Sequence, residues 1–436
     1  MKIALKNNIY FLFFIYILSL IINLLFFNFI LLKNNGYLVC HDSSEYITVA
    51  QSIYKNNSIS NQDGEPTYYR VPGYSIFIAF IYKLFGINNK KFIYAQILLS
   101  SFIPILIFIL SLILFPNNFL VAKVASILSV INIGFILHSG LVMSECLFLI
   151  LFLLFLILFF KNNIYISGII LGLASLVRPV GHFLLVISIF LILINNLKFL
   201  KKIKYIFLLV LAWAFVVSPW LYRNYLLTNK ITLHAMSGYH FLTYFASQVE
   251  AENSGISYSE AKNKLLGERL ILPGTESLKD IQANKIAIKY LTKNYFVTLK
   301  YATINMLKTI FSLNSAYLLF IETKALPEYA NNTSIILKIK RFLFPENTSF
   351  IFKIIIYLEI ILLIVMLSGF LFSLLSVIYN RDFGNIIFKI LLFILLFIFL
   401  TLGSGVARLR LPIEVFLIIF ASNFYLNFFK NKFKHV

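Results

Sequence analysis

Two carboxylates stand three residues apart in the segment VCHDSSEYITVA, just after the first long apolar run of the chain. On a helix, Asp42 and Glu45 share one face, so both could act on one substrate. A carboxylate can take a proton from a hydroxyl group, and a nearby arginine can bind a phosphate. The same D-x-x-E spacing is typical of a helix start, where acids cap free backbone N–H groups. Spacing alone leaves the catalytic and the capping interpretations open.

Further ionisable residues interrupt or end the apolar runs. They lie in the segments EPTYYRVPGYSIF, HSGLVMSEC, LVRPVGH, SPWLYRNY and GVARLRLP, and they are Arg70, His138, Glu145, Arg178, His182, Arg223, Arg408 and Arg410. Taken singly, each has a structural alternative, such as an ion pair, a lipid head-group contact or an arginine that reaches the membrane surface. Because ionisable groups at membrane depth are costly, several of them on one face would indicate a site.

The composition predicts the elements that hold these residues. The chain of 436 residues is 60% hydrophobic and 13% charged, with a mean hydropathy of +0.88. Apolar runs of membrane-spanning length recur along it, which predicts an all-α polytopic membrane protein surrounded by lipid. The net charge of +21 comes from lysines and arginines at the ends of apolar runs. Membrane topology explains that pattern, so we expect no nucleic-acid partner.

The apolar runs predict about ten transmembrane helices. They lie near residues 9–32, 92–115, 119–137, 142–160, 164–178, 180–197, 203–221, 351–378, 386–403 and 410–428. The lysines of NNLKFLKKIKY indicate a cytoplasmic loop after the sixth run, which places residues 33–91 and 223–350 outside. The ionisable residues named above then gather at the outer face. The acidic exceptions are Glu359, Asp382 and Glu414.

This topology divides the chain into three predicted units. Residues 1–222 form an N-terminal transmembrane catalytic module that includes the outer loop 33–91, residues 223–350 form an outer region of surface and interfacial helices, and residues 351–436 form C-terminal transmembrane helices. The segment GYSIFIAFIYKLFG is too short to span and predicts a helix in the interface. The stretch YATINMLKTIFSLNSAYLLFI at 301–321 could span or lie in the interface, and we expect it not to span.

Motifs for nucleotide or metal chemistry are missing from the sequence. It contains no P-loop, no HExxH and no GxSxG, so we expect no cofactor and no metal site, with a weak dependence on a divalent metal left open. Cys40 and Cys146 have no metal-ligand spacing. Both fall on the predicted outer side, so a disulfide between them is a hypothesis.

Taken together, the segments resemble a known family. HDSSEYITVAQSIYKNNSISNQDGEPTYYRVPGYSIFIAFIYKLFG is similar to the first outer loop of the GT-C glycosyltransferases of the family 39 type, which include dolichyl-phosphate-mannose-protein mannosyltransferases and aminoarabinose transferases. GIILGLASLVRPVGHFLL, SPWLYRNYLLTNKI and RLRLPIEVFL resemble later segments of bacterial members in the same order. The resemblance covers most of residues 1–240 and the last span or two.

The resemblance implies a GT-C fold and an inverting transfer of a sugar from a polyprenyl-phosphate donor to an acceptor hydroxyl, on the outer face of a bacterial inner membrane. It implies that Asp42 is the general base, with Glu45 as a second catalytic acid. Substrate-binding candidates are Arg70, Glu145, Arg178, His182, Arg223 and Arg408. Ser43 follows Asp42 where many relatives have a second acid, and the outer C-terminal domain of longer relatives is not found. The acceptor, whether lipid, glycan or protein, stays open.

A lipid-linked oligosaccharide polymerase and a flippase-type transporter are the alternatives. A transporter is expected to carry ionisable groups near mid-membrane and broken helices in matching halves. The mid-span regions here are almost uncharged, which favours the transferase. Essential residues in a large outer loop near the end of the chain would instead favour the polymerase.

Overall fold

The computed structural model of the protein describes residues 8–32, 36–38, 42–116, 118–234, 237–274, 276–323, 349–379 and 386–432. Within these ranges the chain is helical and has no β-strand, apart from one bridge between Ser60 and Pro66. The all-α prediction is thereby confirmed. Cys40 and Asp382 lie outside the described residues.

Eleven helices make up the first half of the described chain. They are α1 (Ile9–Phe26), α2 (Asp42–Asn56), α3 (Gly73–Phe85), α4 (Asn89–Ser100), α5 (Ile103–Leu114), α6 (Phe119–Val130), α7 (Ile133–Ser139), α8 (Glu145–Phe160), α9 (Ile164–Val177), α10 (Val180–Ile194) and α11 (Phe199–Thr228). A π-helical turn, Phe27–Leu31, continues α1.

Nine more helices follow. They are α12 (Ser237–His240), α13 (Ser247–Ser254), α14 (Tyr258–Leu270), α15 (Glu276–Lys293), α16 (Tyr295–Phe311), α17 (Ala316–Thr323), α18 (Phe350–Tyr379), α19 (Ile386–Phe399) and α20 (Leu411–Lys432). A π-helix, Phe241–Ala246, joins α12 to α13, and a 3₁₀ turn, Ala407–Arg410, leads into α20.

The protein is a multi-pass membrane protein by the composition of its helices. Among the described residues, five helical segments are long and apolar enough to cross a bilayer alone, namely Ile9–Leu31, Asn89–Leu114, Phe199–Thr228, Phe350–Tyr379 and Ala407–Lys430. The pair α6 and α7 adds a bent candidate span, and shorter apolar helices include α8, α9 and α10. These segments lie where the apolar runs predicted spans.

The predicted span at 119–137 is bent, because α6 and α7 meet at an angle of 53°. Asn132 sits at the bend, and its side chain accepts a hydrogen bond from the N–H of Phe135, which starts α7 afresh. The same side chain donates to Glu414 at 2.8 Å. A polar residue that caps a helix and binds a distant acid therefore breaks the span.

The packing of α8 against α19 and α20 brings the start of α8 close to the residues before α20. Helix α8 is apolar around its whole circumference, so it is buried on nearly every side. The Phe152 ring packs edge-on against Phe397 at 5.4 Å and Phe416 at 6.0 Å. This packing fixes α8, α19 and α20 as one block. Glu145, at the first residue of α8, thus lies near Arg408 in the turn before α20.

The predicted interfacial helix forms as α3 and packs tightly on α9. A Cβ atom on Gly73 would come within 2.6 Å of the carbonyl oxygen of Leu176, so only glycine allows this approach. The predicted surface helices form as α14 and α15. The stretch at 301–321 breaks after Phe311, and neither α16 nor α17 is among the helices of membrane-crossing length and composition.

Candidate active site

Six charged side chains form one chain of contacts at one end of the membrane helices. We call this group the charge chain, in which carboxylates and guanidiniums alternate in the order Glu45, Arg70, Asp42, Arg408, Glu145 and Arg178. The first three residues come from the first outer loop and α2, and the others come from the ends of α8 and α9 and the turn before α20. Three acids balance three bases, so the group is electrically neutral.

Asp42 occupies the middle of the charge chain. Its Oδ1 lies 2.7 Å from Nη2 of Arg70, and its Oδ2 lies 2.7 Å from Nη1 of Arg408. Glu45, also on the first turn of α2, accepts from Nε of the same Arg70. Both acids thus bind the same arginine from the first turn of α2.

Polar contacts hold α2 in place beside these arginines. Ser43 donates to the carbonyl of Val142 at 2.9 Å, and the Tyr46 hydroxyl donates to Ser144 at 3.2 Å. The guanidinium of Arg70 lies over the Tyr46 ring, 4.9 Å from its centre. The first turn of α2 is therefore fixed against the turn before α8, and a rigid helix end holds the two carboxylates.

The surroundings of Asp42 keep it ionised. Burial raises the pKa of its carboxyl, but the charges of Arg408 and Arg70 and their hydrogen bonds outweigh this and leave the pKa below the ordinary value of 3.8. Asp42 is 23% exposed, so solvent or a small group can still reach it. At neutral pH the carboxylate is available to accept a proton, although two cations weaken it as a base.

The inner half of the charge chain is less accessible. Nη1 of Arg178 lies 2.5 Å from Oε1 of Glu145, and Nε of Arg408 lies 3.9 Å from the same oxygen. The Glu145 side chain is 3% exposed. This ion pair is the structural alternative that the sequence left open for Glu145. It also holds two arginines beside one another at the mouth of a cavity.

Two cavities border the charge chain. The smaller, of about 100 Å³, has apolar walls from the membrane helices, and its lining includes Arg178, Arg408, Val180, Phe397 and Leu400. The larger, of about 830 Å³, has a polar lining that includes Glu45, Thr48, Asn61, Tyr69, Arg70 and Arg269. Asp42 binds one arginine from each lining. It therefore connects two spaces of different chemical character.

Other predicted site residues lie outside the charge chain. Arg223 donates to the backbone carbonyls of Thr67 at 3.0 Å and Ile59 at 2.9 Å, so it fastens the first outer loop to α11. His182 pairs through Nδ1 with the carbonyl of Pro179 at the start of α10. The described contacts of both residues are structural, and their part in substrate binding stays a prediction.

The predicted topology placed Glu359 and Glu414 away from the outer face. In the structure, however, both acids lie beside Asn314 of the region 223–350. We call Arg410, Glu414 and Glu359 the buried triad. Nε of Arg410 donates to Glu414 at 2.8 Å, and Glu359 accepts from the backbone N–H of Asn314 at 2.7 Å. Since Asn314 belongs to the outer region 223–350, the two acids lie at that end of their helices.

Sequence reasoning missed two histidines of the outer region. His234 and His240 lie in the segment ITLHAMSGYH at 231–240. Burial and, after it, the charges of Arg70 and Arg408 lower the pKa of His240 to about 4. Two histidines within fifteen residues of the end of the SPWLYRNY segment, in a chain with six, were the available signal.

The metal and disulfide predictions both stay predictions. The described ranges hold no group of three or more histidine, cysteine, aspartate and glutamate side chains placed to bind a metal ion. Cys146 is buried at the start of α8. Because Cys40 lies outside the described residues, the disulfide stays a hypothesis.

Comparison with known proteins gives structural matches only. No protein-family model and no curated protein sequence matches the chain. The archaeal oligosaccharyltransferase AglB from Archaeoglobus fulgidus, in complex with an inhibitory peptide and a dolichol-phosphate, matches with a TM-score of 0.51 and 13% identity over 96% of this chain. An apo crystal structure of the Archaeoglobus fulgidus oligosaccharyltransferase matches with a TM-score of 0.51 and 12% identity over 94%.

The chain has the GT-C fold. It spans 50% of the length of either oligosaccharyltransferase chain. ArnT from Cupriavidus metallidurans, bound to undecaprenyl phosphate, also matches, with a TM-score of 0.44 and 10% identity over 95% of this chain and 78% of its own. The fold predicted from the outer-loop segments is therefore confirmed, and the activity has to be argued from the site.

Proposed function

We propose that the protein is an inverting glycosyltransferase that moves a sugar from a polyprenyl-phosphate donor to an acceptor hydroxyl. One observation carries the proposal. The carboxylate of Asp42 stands between an apolar cavity with two arginines and a larger polar cavity, and it binds one arginine from each. A transferase needs such an arrangement, since it must hold two substrates on either side of one base.

The apolar cavity suits the donor. Val180, Phe397 and Leu400 supply walls that continue the membrane helices. Arg178, Arg408 and Glu145 line the same cavity and together carry one net positive charge. A lipid-linked phosphate has the matching form, with an apolar tail and an anionic head. The oligosaccharyltransferase of the same fold, solved with a dolichol-phosphate, adds support for a donor of this class.

The polar cavity suits the acceptor. Thr48, Asn61 and Tyr69 offer hydrogen-bonding groups for a hydroxyl-bearing molecule, and the cavity of about 830 Å³ has room for more than one sugar ring. Glu45 and Arg70 line the side nearest Asp42. An acceptor held there would present its hydroxyl to the carboxylate, whether the acceptor is a glycan, a lipid or a protein.

The reaction follows from these positions. The acceptor oxygen attacks the anomeric carbon from the face opposite the phosphate, and its proton passes to Asp42. The bond between the anomeric carbon and the phosphate oxygen breaks, and its electron pair stays on the leaving polyprenyl phosphate. Arg408 and Arg178, which line the donor cavity, are placed to stabilise the charge that gathers there. A donor phosphate competes with Asp42 for the Arg408 guanidinium. As Arg408 turns toward the phosphate, the carboxylate becomes a stronger base.

The site is proposed to face the outside of a bacterial inner membrane. The charge chain lies at the end of the helices where residues 33–91 and 223–350 meet, and the lysine-rich loop before α11 occupies the predicted cytoplasmic side. A donor whose tail stays in the bilayer while its sugar reaches water requires a site at that interface. We propose no resident cofactor.

The test is release of polyprenyl phosphate by purified protein in lipid, with a panel of polyprenyl-phosphate sugars and acceptors, each with EDTA or with Mg²⁺. We expect Asp42→Asn to lower the release rate about 100-fold or more, because a general base is lost. Asp63→Asn, an exposed residue of the same loop, is the matched control and should act like wild type. An Asp42→Asn protein with full activity would remove Asp42 as the base, and no release from any donor would favour the transporter alternative.

A further inference from the structure

The ion pairs of the charge chain use one oxygen of the Glu145 carboxylate and leave the other. Nη1 of Arg178 lies 2.5 Å from Oε1, and Nε of Arg408 lies 3.9 Å from the same oxygen. Among the described residues Oε2 has no hydrogen-bond partner, and it is shielded from solvent. A buried polar atom without a partner costs stability and is uncommon in folded proteins. Glu145 therefore holds a hydrogen-bond acceptor that the fold itself does not use.

This acceptor belongs to a fixed wall of the apolar cavity. Glu145 is the first residue of α8, and it lines the cavity together with Phe148, one turn further along the helix. The Phe148 ring stacks on Phe152 with the ring centres 6.1 Å apart. Helix packing and the ion pair with Arg178 thus hold the carboxylate at the wall. Its unused oxygen lies next to the space that we assign to the donor.

Binding of the donor phosphate would remove further partners from the carboxylate. Arg178 and Arg408 both line this cavity, and a phosphate that takes their N–H groups draws them away from Oε1. Water has little access to replace them, because the Glu145 side chain is 3% exposed. The replacement has to come from the bound molecule. An ionised phosphate and a hydrocarbon tail carry no hydrogen-bond donor, so the sugar has to supply it.

The size of the cavity limits which part of the sugar reaches Glu145. Its volume is about 100 Å³, whereas a cavity of about 150 Å³ is needed to hold one benzene ring. A phosphate and the adjoining edge of a sugar ring are therefore the parts of the donor that enter. The phosphate is attached to C1 of the sugar, and both arginines that line the cavity contact Glu145. The substituent on C2 is thus the nearest group that can donate a hydrogen bond.

We propose that Glu145 determines which donor sugar is used, by accepting a hydrogen bond from the substituent on C2. The class of donor is a polyprenyl-phosphate sugar with a hydroxyl or an amide N–H group at that position, and a 2-deoxy sugar is a poor substrate. The inference rests on the proposed function, because it takes a polyprenyl-phosphate sugar to be the donor. In glycoside hydrolysis, hydrogen bonds to the 2-hydroxyl strengthen in the transition state, and the same gain is available here.

The test measures a preference between two donors. The panel sugar that gives the fastest polyprenyl phosphate release is compared with its 2-deoxy analogue, and the ratio of the two kcat/KM values is determined for each protein. We expect Glu145→Gln to lower the wild-type ratio about tenfold, because a neutral acceptor replaces a charged one. General damage to folding or catalysis lowers both rates and cancels in the ratio. The intrinsic reactivity of the 2-deoxy sugar cancels between proteins.

Two further variants complete the experiment. Glu145→Asp keeps the charge beside Arg178 but is one methylene shorter, so it should also lower the ratio, and it serves if Glu145→Gln does not fold. Glu45→Gln is the matched control, since it removes an acid of the same charge chain that lines the other cavity. It should lower the rates for both donors and leave the ratio at the wild-type value.

Three results would count against these assignments, and they can be told apart. A wild-type ratio that both Glu145 variants retain would overturn the inference and leave Glu145 as a structural partner of Arg178. An equal fall of the ratio in Glu45→Gln would also overturn it, because the effect would then belong to the charge chain as a whole. No release from any panel donor by wild type would instead overturn the proposed function.

Discussion

Arg408 and Arg410 are two residues apart in one 3₁₀ turn, but they differ in their contacts and in their exposure to solvent. Arg408 belongs to the charge chain and is 37% exposed, whereas Arg410 belongs to the buried triad and is 2% exposed. Arg410 donates to Glu414 and to the carbonyls of Thr309, Ile310 and Ser312. Its guanidinium therefore links the end of α16 to α20 through hydrogen bonds.

The contrast separates charges that hold the fold from charges that can bind a ligand. In the buried triad every Arg410 nitrogen has a protein partner, so a ligand would have to displace backbone contacts. In the charge chain, Arg408 lines a cavity and shares its carboxylates with Arg70 and Arg178, so an incoming phosphate can replace one of them. Exposure and a neighbouring cavity, more than charge itself, mark the site.

The largest effect is expected in the buried triad. Arg410→Met should lower the free energy of unfolding by about 3–5 kcal/mol, because Glu359 and Glu414 lose the cation that compensates them in a buried place. Thermal unfolding in detergent measures this. Arg408→Met is the matched control, with the same side chain at an exposed position, and should change the melting temperature little. Equal melting temperatures of the two variants would contradict the distinction between the buried triad and the charge chain.

The next largest effect concerns activity. Arg408→Gln should lower the transfer rate about 100-fold to 1000-fold while the melting temperature stays near that of wild type, since the lost group stabilises charge on the leaving phosphate. The rate of polyprenyl phosphate release under donor saturation is the measurement. A variant that loses stability and activity together would show that Arg408 is structural, like Arg410.

Within the charge chain, Glu45 is expected to matter less than Asp42. Glu45→Gln removes one carboxylate from Arg70, but the contact of Arg70 with Asp42 remains. We expect a fall of about tenfold in kcat/KM, in line with one partly exposed charge-assisted hydrogen bond. Asp42→Asn in the same assay is the comparison. A loss as large for Glu45 as for Asp42 would indicate that the two acids share the base function.

The smallest effect is that of pH. Because Arg408 and Arg70 hold the pKa of Asp42 below 3.8, its carboxylate stays ionised from pH 5 to pH 8. The stabilisation from these ion pairs is complete above the ordinary pKa and is lost only as pH falls through the lowered one. Hence kcat/KM of the free enzyme should show no acid limb from Asp42 above pH 3.8. A limb near pH 6 that vanishes in Asp42→Asn would contradict the ion pairs.

Much of the fold follows from local pattern. The apolar runs gave the positions of the candidate spans, and alternation of charged and apolar residues gave α14 and α15. Ser257 caps α14 in a capping box with Glu260, which local sequence encodes. The bend at Asn132 was missed because it depends on Glu414, almost three hundred residues away. A polar residue within an apolar run does not reveal its partner.

The site was predicted in part for the same reason. Asp42, Glu45 and Arg70 were grouped because they share one outer loop with a family resemblance, and the structure brings them into contact. Arg223 was grouped with them by position, yet it binds backbone carbonyls of that loop. The position of His240 was missed, since the backbone beside it is fixed by Asp280 of a later helix. Side-chain direction and long-range packing decide such cases, and one sequence does not contain them.

The most direct measurement is a cryo-EM structure of the protein in a lipid nanodisc with undecaprenyl phosphate bound. We predict phosphate density within hydrogen-bonding distance, about 3 Å, of the Arg408 guanidinium. We also predict that the lipid tail runs along Phe397 and Leu400 and that Asp42 has lost at least one of its arginine contacts. Phosphate density away from both Arg408 and Arg178, with the contacts of the charge chain unchanged, would contradict the central claim that the donor phosphate binds at the charge chain.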